Sequence, residues 1–280
     1  MALSREDMLR ELELLPVWRL REAPISQEAA ASDESRVKEI AEVAQPQSAK
    51  TIEPSEPVLP VADDQTGAMP VSEIASESLD DRRVRIRNLD WPDLKRCVQD
   101  CTACELAATR TQTVLGVGDL QADWLFIGEA PGAEEDRKGE PFVGQAGKLL
   151  DNMLAAIGLR RGQNAYIANI VKCRPPGNRD PHPQEIEQCA PFLERQLALI
   201  QPKLIMTLGR VAAQTLLETD ETIGTLRGKV HRHQGIPVIV TYHPAYLLRN
   251  LPDKAKAWED LCLAKRTMQK MADVNPEETK

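Results

Sequence analysis

Four short apolar runs recur through the second half of the chain: DWLFIG (123–128), AYIANIV (165–171), KLIMTLG (203–209) and PVIVTYH (237–243). Their length and branched side chains predict strands. Between and after them, apolar positions recur at helical spacing in 146–159, 182–200, 210–218 and 253–271, each flanked by polar faces. Strands alternating with helices predict an α/β fold, a three-layer α/β/α sandwich whose central sheet is four-stranded and parallel. Ligands of such sheets collect at the carboxyl ends of the strands. Here those ends read Gly128-Glu129, Asn169, Gly209 and His243, all suited to chemistry or close backbone approach.

Upstream the pattern differs. Met8, Leu9, Leu12, Leu15 and Trp18 recur at helical spacing within 4–21, behind a possible Ser4 cap, and predict a short amphipathic helix in 1–22. Its apolar stripe suits a groove on a protein partner. From 23 the chain runs in Ala, Ser, Glu and Pro with no sustained period, a composition that cannot bury enough apolar surface to fold. The expected organisation is therefore a disordered acidic linker over 23–85, a folded domain over 86–272 and a flexible tail over 273–280.

Charge follows the same division. The formal net charge of −8 is misleading as a whole: residues 1–80 carry 17 Asp+Glu against 7 Lys+Arg, and the rest carry 26 against 28. The acidity belongs to the extension, so it does not argue against a nucleic-acid partner for the domain. With 42% hydrophobic but only 4% aromatic residues, the core must be mostly aliphatic. No apolar run approaches the roughly 18 residues a membrane span needs. The opening MALSREDMLRELELL lacks the apolar centre of a secretory signal. These features predict a cytoplasmic protein, working as a monomer away from membranes.

In that setting the six cysteines read as ligands, catalysts or core residues rather than disulfides. Cys101 and Cys104 form a C-x-x-C pair, whose turn can bring both sulfurs to one centre. Cys173 follows a strand, and Cys189 falls in a helix after 15 intervening residues. Four thiolates suit zinc or a 4Fe-4S cluster. The wide second pair favours iron–sulfur, and ordinary buried cysteines are the plain alternative. Cys262 falls on the apolar face of the last helix; Cys97 is a substitute first ligand.

Longer motifs then resolve. GEAPGAEEDRKGEPFVGQAGKLLD (128–151), NIVKCRPPGNRDPHPQEIEQC (169–189), TLG (207–209) and YHPAYLLR (242–249), with CTACELAATRTQTVLGVG (101–118) before them, resemble the iron–sulfur family 4 uracil-DNA glycosylases of bacteria and archaea. The resemblance covers about 90–270. It implies a four-stranded parallel sheet between helices, and a structural 4Fe-4S cluster on Cys101, Cys104, Cys173 and Cys189. It also implies hydrolysis of the bond between deoxyribose C1′ and uracil N1 in single- or double-stranded DNA, as a monofunctional enzyme of base-excision repair.

The chemistry asks for particular side chains. The target bond is unreachable inside a duplex, so the nucleotide must be everted. By the resemblance, Phe142 stacks on the everted base. The Asn169 amide offers one donor and one acceptor in a plane, matching uracil O4 and N3–H, where cytosine presents the reverse. His243 would donate to uracil O2 as negative charge gathers there. Gly128 and Ala130 let backbone approach the base. Glu129 and Glu135 are candidates to orient water or stabilise the sugar cation, and Glu135 also to crowd uracil C5. Leu248 would fill the gap left by the base, and Arg249, Arg174 and Arg179 would hold phosphates. His231 and His233 read as loop residues without a role.

A related group crosslinks to its product through a histidine in a Lys-Arg-Arg-Ile-His insert. Here the corresponding loop reads Pro-Pro-Gly-Asn-Arg-Asp-Pro, and Ala130 stands where that group has Gln. Turnover without crosslinking is expected. Two other classes remain to be distinguished: a non-catalytic iron–sulfur DNA-binding module of replication or repair, and a zinc-stabilised hydrolase of free nucleotides.

Overall fold

The computed structural model describes residues 78–274. The expected helix of 1–22 and most of the 23–85 linker lie outside the described residues. Its last part does not: Ser78 caps a helix, α1 (Leu79–Arg87), so the folded body starts ahead of the expected boundary at 86. The apolar period there is weak because the buried face is made by Arg82 and Ile86 rather than by a hydrophobic stripe. At the other end, helix α10 (Lys254–Val274) runs slightly into the segment expected to be a flexible tail.

Helices α2 (Trp91–Gln99) and α3 (Leu106–Thr109) lead into a six-stranded sheet. The strands are β1 (Val117–Gly118), β2 (Trp124–Gly128), β3 (Ala165–Asn169), β4 (Leu204–Leu208), β5 (Val230–His233) and β6 (Ile236–Thr241), in the order β1-β3-β2-β4-β6-β5. The inner four pair in parallel, and they are the four apolar runs. The expectation of four strands is corrected to six, because β1 and β5 add antiparallel edges. Edge strands need no double-sided apolar face: β5 reads Val-His-Arg-His and stays half exposed. Its turn to β6 passes through Gln234 and Gly235, both at positive φ, as tight hairpins require. His231 and His233 are therefore strand residues, tied to the carbonyls of Leu226 and Leu216.

The central strands β2, β3 and β4 are buried along their whole length, so both sheet faces are covered. Alternate side chains feed two cores. Leu125, Ile127 and Ala168 point to a layer built by α1, α2, α6 (Pro183–Ile200) and α7 (Arg210–Leu217), with Ile86, Leu94, Phe192 and Leu216. Phe126, Ile167, Met206 and Ile239 point to the opposite layer, built by α5 (Gln145–Ala156), α9 (Pro244–Arg249) and α10, with Leu150, Leu247 and Leu261. Two short helices, α4 (Ala133–Lys138) and α8 (Ile223–Leu226), complete the body. The register puts Gly128 beside Asn169 at the carboxyl edge. β2 is flanked by β3 on one side and β4 on the other, the arrangement that opens a crevice at that edge.

Candidate active site

A cavity of about 430 Å³ opens at the carboxyl ends of the parallel strands. Its walls include Glu129, Ala130, Glu135, Phe142, Asn169, Arg179, Asp180, His243, Tyr246 and Arg249. Asn169, at the tip of β3, is 1% exposed, and neither its Oδ1 nor its Nδ2 has a hydrogen-bond partner. Leaving a buried amide unpaired costs on the order of 1–3 kcal/mol for each group. Facing a cavity, such a group is a candidate to pair with a ligand.

Phe142 closes one side. A side chain at Gly128 would bring its Cβ within 2.5 Å of Asn169 Oδ1 and 2.6 Å of Phe142 Cζ, so only hydrogen fits between amide and ring. Phe142 sits at φ +54°, a left-handed conformation that costs a bulky residue about 1–2 kcal/mol. Gly147 on α5 is packed so closely beneath it that a Cβ would lie 1.8 Å from the Phe142 carbonyl oxygen.

His243 caps α9. Its Nδ1 accepts from the Ala245 amide at 3.1 Å, which leaves Nε2 to carry the proton. Burial, reinforced by the Arg249 charge, pulls the imidazole down to about 4, so it is neutral at physiological pH. Its ring centroid lies 5.5 Å from that of Phe142.

Glu129 follows β2. Burial, then the charge of Asp180 and a hydrogen bond to it, push Glu129 up to about 7; Arg210 acts in the opposite sense. Arg210 itself pairs with Asp180. Two carboxylates in one cavity wall thus share the Arg210 cation. Glu135 is engaged differently. Its Oε1 accepts from the amides of Val143 at 2.8 Å and Gly144 at 3.1 Å, and its Oε2 from the Gly132 amide at 3.1 Å. It stitches the 129–132 loop to the Phe142 turn.

The four cysteines of the two pairs lie on the layer of α2, α3 and α6. Cys101, Cys104, Cys173 and Cys189 line one small apolar space with Val98, Ala107 and Phe192. None of the four forms a disulfide. Donors point at the sulfurs: Arg82 Nη2 to Cys101, Arg110 Nη1 to Cys173 and the Lys172 amide to Cys189, each at 3.2 Å. Among the described residues no group of three His, Cys, Asp or Glu is disposed to hold a single metal ion. The Lys172 ammonium is wholly enclosed beside this space and donates to the Asn169 carbonyl at 2.7 Å and to Gln196 Oε1 at 2.6 Å. Cysteine quartet and cavity are thereby joined through one side chain.

Comparison with known proteins decides what this arrangement is. The sequence model of the uracil DNA glycosylase superfamily matches residues 115–262, more than half of the chain. The type-4 uracil-DNA glycosylase of Archaeoglobus fulgidus is 49% identical over 164 residues, which span 56% of this chain and 82% of that protein. Those of Sulfurisphaera tokodaii and Thermotoga maritima are 45% and 43% identical, over 79% and 92% of their own lengths. The chain belongs to the uracil-DNA glycosylase superfamily, in its type-4 group.

In this glycosylase the residues singled out from sequence fall into three sets. Glu129, Ala130, Glu135, Phe142, Asn169, Arg179, His243 and Arg249 line one cavity, and Gly128 lies directly behind Asn169 and Phe142. Arg174 and Leu248 do not line it. Leu248 is 41% exposed, and Arg174 Nε is bonded to Asn178 Oδ1 at 2.7 Å. Arg179 is committed to a bidentate pair with the enclosed Glu185 carboxylate at 2.6 and 2.8 Å. Cys97 lies apart from the quartet, receiving Arg85 Nη1 at 3.2 Å. Sequence reading passed over Asp180, Tyr246 and Arg161. Asp180 stood within the Pro-rich loop, where a lone acid reads as solvated, and only the fold sets it against Glu129.

Proposed function

We propose that this chain, a uracil-DNA glycosylase, everts deoxyuridine from DNA and hydrolyses its N-glycosidic bond in the cavity at the strand ends, leaving an abasic site. The observation that supports the residue roles is the unpartnered Asn169 amide, buried in the wall of a cavity that Phe142 and the neutral His243 also line. Uracil O4 and N3–H would satisfy both halves of that amide. Cytosine would face each with its like and leave buried groups unpaired. Phe142 supplies a stacking surface, worth roughly 1–3 kcal/mol for a base.

As the glycosidic bond breaks, electrons pass to the base and negative charge gathers on O2. The His243 Nε2–H is the donor assigned to that charge, supported by its Nδ1 being occupied and by its place in the cavity lining. A neutral imidazole stabilises it without having to give up its proton. The sugar develops positive charge, and water adds at C1′. We assign the water's proton to Glu129, supported by its position in the cavity wall and a proton affinity suited to neutral pH. Glu135, saturated by three amides, acts by holding the loop rather than by touching water.

The 4Fe-4S cluster is assigned to Cys101, Cys104, Cys173 and Cys189. Support comes from their convergence on one apolar space and from the arginine and amide donors aimed at their sulfurs. Bound there, the cluster would tie the 101–110 segment and α6 to the strand that carries Asn169. The exposed Leu248 and the cavity-lining Arg249 are the contacts proposed for the gap and a phosphate of the DNA. The test is a strand carrying one uracil, incubated with anaerobically purified protein and then treated with alkali. Cleavage at the uracil is expected. No alkali-labile site would favour a DNA-binding module instead.

A further inference from the structure

The Phe142 turn is held from both sides, and one of its holders belongs to no role assigned above. We infer that Arg161, on the segment between α5 and β3, is the positioning residue that keeps Phe142 at the cavity wall. The inference rests on the reading of Phe142 as the ring that stacks on uracil.

Arg161 Nη1 donates to the Pro141 carbonyl at 2.7 Å, and Nη2 donates to the Phe142 carbonyl at 2.8 Å. The same guanidinium is oriented by Asp151 of α5, whose Oδ1 accepts from Nε at 3.1 Å and from Nη2 at 3.0 Å. Next along the chain, Glu135 Oε1 holds the amides of Val143 and Gly144. Two carbonyls are thus gripped by a cation and the next two amides by an anion, with the left-handed Phe142 between them. A bulky side chain stays in that conformation only where its surroundings over-determine it. Arg161 does not line the cavity, so any effect on the base passes through Phe142. Its planar fork makes bonds in several directions at once, which the single ammonium of lysine cannot reproduce.

The experiment uses the full chain with its cluster and measures single-turnover excision from a uracil-containing duplex. It compares Arg161→Ala, Arg161→Lys, Phe142→Ala and the Arg161→Ala/Phe142→Ala pair. Both Arg161 variants are expected to slow the excision step on the order of tenfold, the scale of losing charged hydrogen bonds. The DNA concentration giving half-maximal rate should stay unchanged. In the Phe142→Ala background, removing Arg161 should cost nothing more. Where Phe142→Ala is itself slow, wild-type rates in Arg161→Ala, full rescue by lysine, or losses that multiply in the double variant would overturn the inference. Hydrogen exchange of the Val143 and Gly144 amides separates this idea from the stacking reading. Exchange should quicken about tenfold in Arg161→Ala, and unchanged exchange overturns the clamp. Faster exchange alongside full activity of Phe142→Ala upholds the clamp and sinks the stacking role instead.

Discussion

At the scale of single residues, the site works by leaving some groups unpartnered and fixing others with several hydrogen bonds. Asn169 has no partner for either end of its amide, whereas Glu135 has three. Replacing Asn169 by Ala should therefore lower uracil excision about a hundredfold or more while leaving the fold and affinity for abasic DNA intact; single-turnover rates and product-binding titrations check this. The pH dependence follows from Glu129. A base must be deprotonated to accept a proton, so activity should rise with pH through a midpoint near 7, where Glu129 titrates. Asp180→Asn removes a negative neighbour, makes Glu129 easier to ionise and should move that midpoint down. His243, already neutral above about 4, adds no inflection in that range. A midpoint unmoved by Asp180→Asn would remove Glu129 from this role. Asn169, Phe142 and His243 were legible in the sequence because each ends a strand or sits in an extended motif. The bracing role of Glu135 was not, because its partners are backbone amides whose proximity only the folded loop creates. The same holds for Arg161, which reads as one more surface charge beside Arg160.

At the scale of elements, the sheet and the helix ends carry the site. The four inner strands were legible as apolar runs because burial on both faces demands them. The edges were not: β1 is two residues long, and β5 alternates exposed and half-buried positions. Helix α1 was missed for a related reason, since its buried face is an arginine. Arg82 stacks 4.8 Å above the Phe192 ring, donates to the Gln188 carbonyl and reaches Cys101 Sγ. If the proposed iron–sulfur cluster is bound there, Arg82→Ala should hasten bleaching of its visible absorbance under air, measured against wild type, with smaller effect on initial activity. The α5 start is the least tolerant element. Gly147→Ala drives a methyl into the Phe142 carbonyl and should destabilise the protein by about 1–3 kcal/mol, read in denaturant unfolding, while disordering the Phe142 turn.

At the scale of the whole molecule, charge and fold divide the chain alike. The acidic extension carries the net negative charge, and the folded body is slightly basic, as a surface that meets DNA requires. Among the described residues no helix is long and apolar enough to cross a membrane. Removing residues 1–77 should leave excision from naked DNA within about threefold of the full chain. A cut at 80 would also remove the Ser78 cap and the first turn of α1, at a cost of about 1 kcal/mol. The segment of the cysteine quartet and the Asn169 strand are joined through Lys172, and Asn169 and His243, from distant parts of the sequence, line one cavity.

The most direct test is base discrimination by the Asn169 amide in the anaerobically purified full chain. Two duplexes identical except for one uracil or one cytosine are cut with alkali after a single turnover, using wild type and Asn169→Ala. A break at uracil alone, abolished in the variant while its cluster absorbance is retained, is the predicted result. Uracil excision by Asn169→Ala at the wild-type rate would contradict it.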